Sequence, residues 1–135
     1  MYESGTIRIF QVTDNPTGHS TTNYESYLSS SPSSPHPPIR CFESNRYEPY
    51  LVVPYCPKLT PLYDVRFSGY GKNKISNVLQ LRHMNYSFRV ASEGFLVHVP
   101  HPISGDKVKW EKGVSGEHAE MDRIYVEFGR EVKRR

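Results

Sequence analysis

A mixed α and β fold is predicted for this chain, and three observations predict it. Short runs rich in β-branched and aromatic residues recur at 5–12, 50–53, 86–90 and 94–99. Two other stretches, 73–83 and 117–135, carry apolar residues at helical spacing instead. The resulting order is strand, loop, strand, helix, two strands, helix, with no internal repeat. One strand ahead of a long polar loop is a poor beginning for a complete sheet. The expected object is therefore the C-terminal portion of a larger α/β domain, a single partial domain over 1–135.

The elements follow in chain order. After the first strand, Asp14, Asn15, Pro16 and Gly18 supply turn chemistry. Residues 21–28 suit a short helix or an irregular turn. Five Ser and four Pro surround His36 between 29 and 38. That composition cannot bury a core, and proline removes backbone donors, so a flexible surface loop is expected there. Pro49 and Pro54 bound the strand at 50–53, and Pro57 and Pro61 keep the next stretch extended. Ile75, Val78, Leu79 and Arg82 then share one helical face through His83. The strands 86–90 and 94–99 are joined by Ala91, Ser92 and Glu93. Residues 105–116 read as a loose polar loop. Met121, Ile124, Tyr125, Phe128 and Val132 mark the buried face of a C-terminal helix, with Ser115 as its expected N-cap.

Composition narrows the function. Hydrophobic residues are only 36% of the 135, although ten Tyr and six Phe add buried area per residue. A modest core is within reach; a two-domain enzyme with its own complete cofactor site is not. No apolar run approaches the roughly 20 residues that span a bilayer. The formal net charge is +3, but Arg130, Lys133, Arg134 and Arg135 against Glu131 account for all of it. With the rest electrically balanced there is no basic face, so nucleic acid is not an expected partner. Cys41 and Cys56 lack metal-type spacing. One disulfide and two buried thiols both remain open for them.

Three clusters could carry chemistry. The densest runs from Tyr63 to Lys74. Gly69 and Gly71 bracket Tyr70 just before a helix, where glycine permits unusual backbone angles and close approach by a ligand. The helix start adds unpaired N–H groups. Asp64, Arg66, Asn73 and Lys74 ring the spot with donors and acceptors, and aromatic rings there suit the C–H face of a sugar. The same residues also describe a Gly-rich turn with a structural Asp64–Arg66 pair. The second cluster is His98 and His101 at the end of an apolar strand. A histidine there can serve as metal ligand or acid/base, or simply bond to backbone. One histidine cannot hold a divalent ion without carboxylates from elsewhere. The third, His19 with Thr22, Asn23 and Tyr24, could bind a hydroxyl-rich ligand or hydrogen-bond its own turn. Asn85-Tyr86-Ser87 is an acceptor sequon, usable only on the secretory route.

Taken together and in order, the clusters resemble a known family. Gly18 and His19 followed by Thr22, Asn23 and Tyr24, then 47–53, then 61–64, are similar to glycosyltransferase family 49, which includes LARGE-type C-terminal domains and beta-1,4-glucuronyltransferases. Residues 66–74 resemble that family's most distinctive stretch, and 94–98 with Pro100 and His101 resemble its closing strand. The resemblance runs from Gly18 to His101. It implies a GT-A type fold, a UDP-sugar donor such as UDP-glucuronate, a glycan acceptor and Mn²⁺. It also implies residence in the Golgi lumen, the full-length protein being a type II membrane protein.

Site residues carried over by the resemblance are His98 for the metal and His19, Thr22, Asn23, Asp64, Arg66, Tyr70, Gly71, Asn73 and Lys74 for the substrate. No catalytic base is identified. The Asp-x-Asp motif that supplies the metal's carboxylates in such enzymes is missing from these residues. The chain alone is therefore expected to be inactive, as the acceptor-side part of a sugar-transferring enzyme. A non-catalytic carbohydrate-binding or protein-interaction module is the alternative.

Overall fold

The computed structural model describes residues 8–9, 15–68, 70–113 and 116–134. They contain five helices: α1 Pro16–His19, α2 Tyr24–Ser29, α3 Asn73–His83, α4 Gly105–Glu111 and α5 Glu117–Lys133. No strand is found among the described residues. The segments 50–53, 86–90 and 94–99 belong to neither a helix nor a ladder, and 5–12 lies mostly outside the described residues. A ladder needs a second edge to take up alternate N–H and C=O groups. One backbone bond, Ile39 N–H to the Phe88 carbonyl at 2.8 Å, ties 86–90 to another segment. Among the described residues the helical half of the α/β expectation is present and no strand is formed.

The chain divides into two compact units, Met1–Tyr47 with Ser87–Val99 and Glu48–Tyr86 with Pro100–Arg135. In the first, Asn15 caps α1 by accepting from Gly18 N–H at 3.1 Å, and Pro16 takes the first helical position. Asn23 caps α2 in the same way through Ser26 N–H at 2.8 Å. Beyond Ser29, which ends α2, the Ser/Pro segment carries no helix or strand through residue 38, yet it is anchored at its end. His36 is buried and stacks on Tyr27 at 5.7 Å. Arg89 donates to the His36 carbonyl at 3.1 Å. Phe42 packs edge-on against Phe88 at 5.1 Å and leans on Tyr47 at 5.3 Å.

The second unit holds the main apolar core. Phe67, Ile124, Phe128 and Val132 form it, with Leu79, Met121 and Tyr125 packed around them. The α5 residues recur at three- and four-residue steps, so one face of that helix meets α3 and Phe67. Phe67 stands edge-on to Phe128 at 5.4 Å and 89°, the geometry that brings a ring's positive edge to its neighbour's negative face. On α3, Ile75, Val78 and Leu81 are buried, Leu81 completely. The most buried position is thus Leu81, whereas Arg82, assigned to the same face from spacing, is exposed.

Two further expectations meet the structure at helix ends. Residues 105–116, expected to be loose, instead form α4 over their first part. Ser104 caps it by accepting from Lys107 N–H at 3.2 Å, with Asp106 in the first turn and Lys109 in the last, the charges that favour each end. At α5 the N-cap position belongs to Gly116, with φ +67; Ser115 lies outside the described residues.

Candidate functional site

The turn into α3 is the most constrained backbone of the second unit. Gly71 has φ +92 and Lys72 has φ +60, and Asn73 N–H bonds back to the Gly71 carbonyl at 2.8 Å. Gly71 adopts its angle freely, but a lysine in the left-handed region costs free energy that the surroundings must offset. Side chains from α4 and α5 supply the contacts. Lys72 pairs with Asp122 at 2.7 Å, and its ammonium lies 5.4 Å from the centre of the Tyr125 ring. Gly71 lies against Trp110: a Cβ at this position would stand 2.8 Å from the indole Cη2. Close approach to the Gly71 main chain is therefore taken by Trp110, a residue that sequence reading did not single out. Its lone position in a stretch assigned as loop hid it. The available signal was Ser104 and Asp106, the start of a helix that carries Trp110.

Tyr70 precedes this turn, 40% exposed, with its ring 5.9 Å from Trp110 at an angle of 58°. His118 also stacks on Trp110, with ring centroids 3.6 Å apart at 25°. The His118 Nε2 and the Trp110 carbonyl are hydrogen-bonded. Asn73 turns its side-chain oxygen onto Lys74 N–H at 2.8 Å. Lys74 pairs with Glu48 at 2.9 Å and lies 5.6 Å from the centre of the Tyr50 ring. Tyr70, Gly71, Asn73 and Lys74 are thus gathered around one turn.

Asp64 and Arg66 stand behind that turn. The Arg66 guanidinium donates to Asp64 at 2.8 and 3.0 Å and to Glu131 of α5 at 2.7 and 3.0 Å. It also lies 5.8 Å from the centre of the Phe128 ring. Hydrogen bonds from Asp64 first, then Glu131, raise the Arg66 pKa above its ordinary value, so its charge is fixed at every relevant pH. This two-sided fork fastens the 64–67 segment to α5 over the core.

His19, Thr22 and Asn23 belong to the first unit, and their run is largely occupied with its own fold. His19 is buried at the end of α1. The Thr22 hydroxyl shares a 2.7 Å hydrogen bond with the Tyr47 hydroxyl. Asn23 caps α2, and Thr21 accepts from Glu43 N–H at 3.1 Å. Burial raises the Tyr47 pKa, with the Thr22 bond acting weakly in the opposite direction.

His98 is exposed on the segment 94–99. Among the described residues there is no group of three or more His, Cys, Asp or Glu side chains able to hold a metal ion. The residues present therefore do not make a cage for Mn²⁺. Cys41 is exposed and Cys56 half-buried, both as free thiols. Asn85 is exposed at φ +61 in the loop after α3. No helix among the described residues is long and apolar enough to cross a membrane.

Comparison with known proteins gives this arrangement a lineage. The family described as "Glycosyl-transferase for dystroglycan" matches residues 1–135. Xylosyl- and glucuronyltransferase LARGE2 of Mus musculus is 31% identical over 136 residues, covering 100% of this chain and 18% of the mouse protein. Glycosyltransferase-like protein LARGE of Caenorhabditis elegans is 36% identical over 107 residues, 79% of this chain and 16% of that protein. Xylosyl- and glucuronyltransferase LARGE1 of Homo sapiens is 32% identical over 111 residues, 82% of this chain and 14% of its own length. The chain thus spans less than a fifth of these curated relatives. No solved structure matches it. With a family match along its whole length and LARGE proteins as relatives, the chain belongs to glycosyltransferase family 49.

Proposed function

We propose that this chain is the acceptor-side, C-terminal part of a LARGE-like glycosyltransferase domain. The whole enzyme transfers glucuronate or a related pyranose from a UDP-sugar to a glycan, on the secretory route in the Golgi lumen. The observation that carries this reading is the family match over residues 1–135. The names of its relatives, xylosyl- and glucuronyltransferases, suggest the sugars. In the complete domain, of GT-A type, the segments 50–53, 86–90 and 94–99 become strands. Their apolar side chains fit that role: Val52 is 98% exposed and Leu96 75%, positions that a two-faced sheet would cover.

Within the chain, Tyr70 and Asn73 contact the acceptor saccharide beside the Gly71 turn, with Lys74 at the edge. Asp64 and Arg66 hold that turn to α5. His19, Thr22 and Asn23 offer hydroxyl-binding groups on the first unit, and His98 is the one metal ligand assigned to these residues. The carboxylates for Mn²⁺ come from outside them. Donor binding and bond making accordingly belong to the larger protein.

Incubating the 135-residue chain with UDP-glucuronate or UDP-xylose, Mn²⁺ and a xylose- or glucuronate-ended oligosaccharide tests this division. Retention of the oligosaccharide on affinity electrophoresis with no transfer is the expected result. An extended glycan with donor consumed contradicts the assigned inactivity, and failure to retain any oligosaccharide contradicts the acceptor-side role. A second reading, a carbohydrate-binding module without catalytic duty in any context, draws on the Tyr70–Trp110 pair. It predicts that fusing this chain to the rest of a LARGE-like enzyme restores no transfer.

A further inference from the structure

We infer that Trp110 and Tyr70 form an aromatic notch that seats one pyranose ring, with Trp110 as the residue that sets its shape. This inference rests on the acceptor-side reading and gives that site a specific wall. Tyr70 alone is an exposed ring on a turn. Trp110 changes its setting by fixing where the turn lies and what stands beside it.

The indole is itself held from two directions. Its benzo edge lies on Gly71, where a Cβ would come within 2.8 Å of Cη2. One face is covered by the stacked His118 ring at 3.6 Å, and His118 is tied back to the Trp110 carbonyl. Towards Tyr70 the rings meet at 58° with centroids 5.9 Å apart, neither stacked flat nor perpendicular. The two rings meet at an angle, and Tyr70 is 40% exposed beside Trp110.

A pyranose matches such a surface chemically. Its equatorial hydroxyls point outward, and its axial C–H bonds present a flat, weakly positive face to the negative face of an aromatic ring. Tyr70 supplies the ring face and Trp110 the stop that limits sideways slip. Methyl β-xyloside and methyl β-glucuronide, both with all ring substituents equatorial, have the required face. A furanoside has a puckered five-membered ring without that flat row of C–H bonds, so it loses the contact.

Trp110 is the single tryptophan of the chain, so its fluorescence reports on the notch directly. Titration with methyl β-glucuronide or methyl β-xyloside should change Trp110 emission with the midpoint seen by calorimetry, and methyl α-arabinofuranoside should not. Tyr70→Ala should weaken the pyranoside about tenfold. Trp110→Phe, which keeps an aromatic ring and a cooperative melt, should weaken it severalfold. If pyranosides bind by calorimetry while Trp110 emission stays flat and both variants bind like the parent, the notch is wrong and the acceptor-side reading stands. If the parent binds no pyranoside by either method, the acceptor-side reading falls and the notch falls with it.

Discussion

At Gly71 a single hydrogen atom decides the local structure. A side chain there would face both a φ of +92 and the Trp110 ring. Gly71→Ala is therefore expected to destabilise the chain by about 2–3 kcal/mol and to shift Trp110 emission by pushing the ring off the turn. Chemical denaturation followed by fluorescence measures both effects together. Arg66 acts differently, through charge. Its fork to Asp64 and Glu131 is about one-third exposed, so solvent screens much of the attraction. Arg66→Ala should cost about 1 kcal/mol and lower Tm by roughly 3–6 °C, with a smaller loss in high salt.

Tyr24, Tyr47 and Tyr125 titrate together in one predictable direction. Burial raises the pKa of each above the ordinary value near 10. Above that pH the unfolded chain loses these protons before the folded chain does, so the unfolded state binds fewer protons and stability falls. Stability that these tyrosines leave intact up to about pH 9 should decline from about pH 10 upward. Urea midpoints across pH 8 to 11 would show it, and a midpoint that rises over that range contradicts the burial of these rings.

Among the elements, legibility in the sequence followed the strength of the helical period. Helix α5 repeats Met121, Ile124, Tyr125, Phe128 and Val132 over about three turns, and those are the residues that pack in the core or around it. In α3 the period was readable, but it named Arg82 for a face that the structure gives to Leu81. Leu81 is fully buried, and Leu81→Ala should cost about 2–5 kcal/mol, measurable as a large drop in the denaturation midpoint. Helix α4 escaped notice because seven residues with Val108 and Trp110 show too little periodicity; its signals were Ser104, Asp106 and Lys109 at the ends. The strands failed for another reason. An apolar run such as 94–99 says that a segment suits a sheet, and pairing depends on a second edge that the described residues do not bring to it.

At the scale of the whole molecule, the family was legible because residues 61–74 and 94–101 carry distinctive side chains in a fixed order. The structure then divided the roles within that order. Asp64 and Arg66 brace α5, the run from Gly18 to Tyr24 serves its own caps and Tyr47, and Tyr70 stands at the surface beside Trp110. What sequence could not supply was Trp110 itself, since contact between 71 and 110 depends on tertiary packing and not on spacing.

On the proposed reading these residues face the acceptor and leave donor and metal to the rest of the enzyme. Calorimetric titration of UDP-glucuronate into the 135-residue chain, with Mn²⁺ and then with a chelator, tests it most directly. No metal-dependent binding is expected, in the parent or in His98→Ala. Binding that requires Mn²⁺ and disappears in His98→Ala would contradict it, because the chain would then hold a donor site of its own.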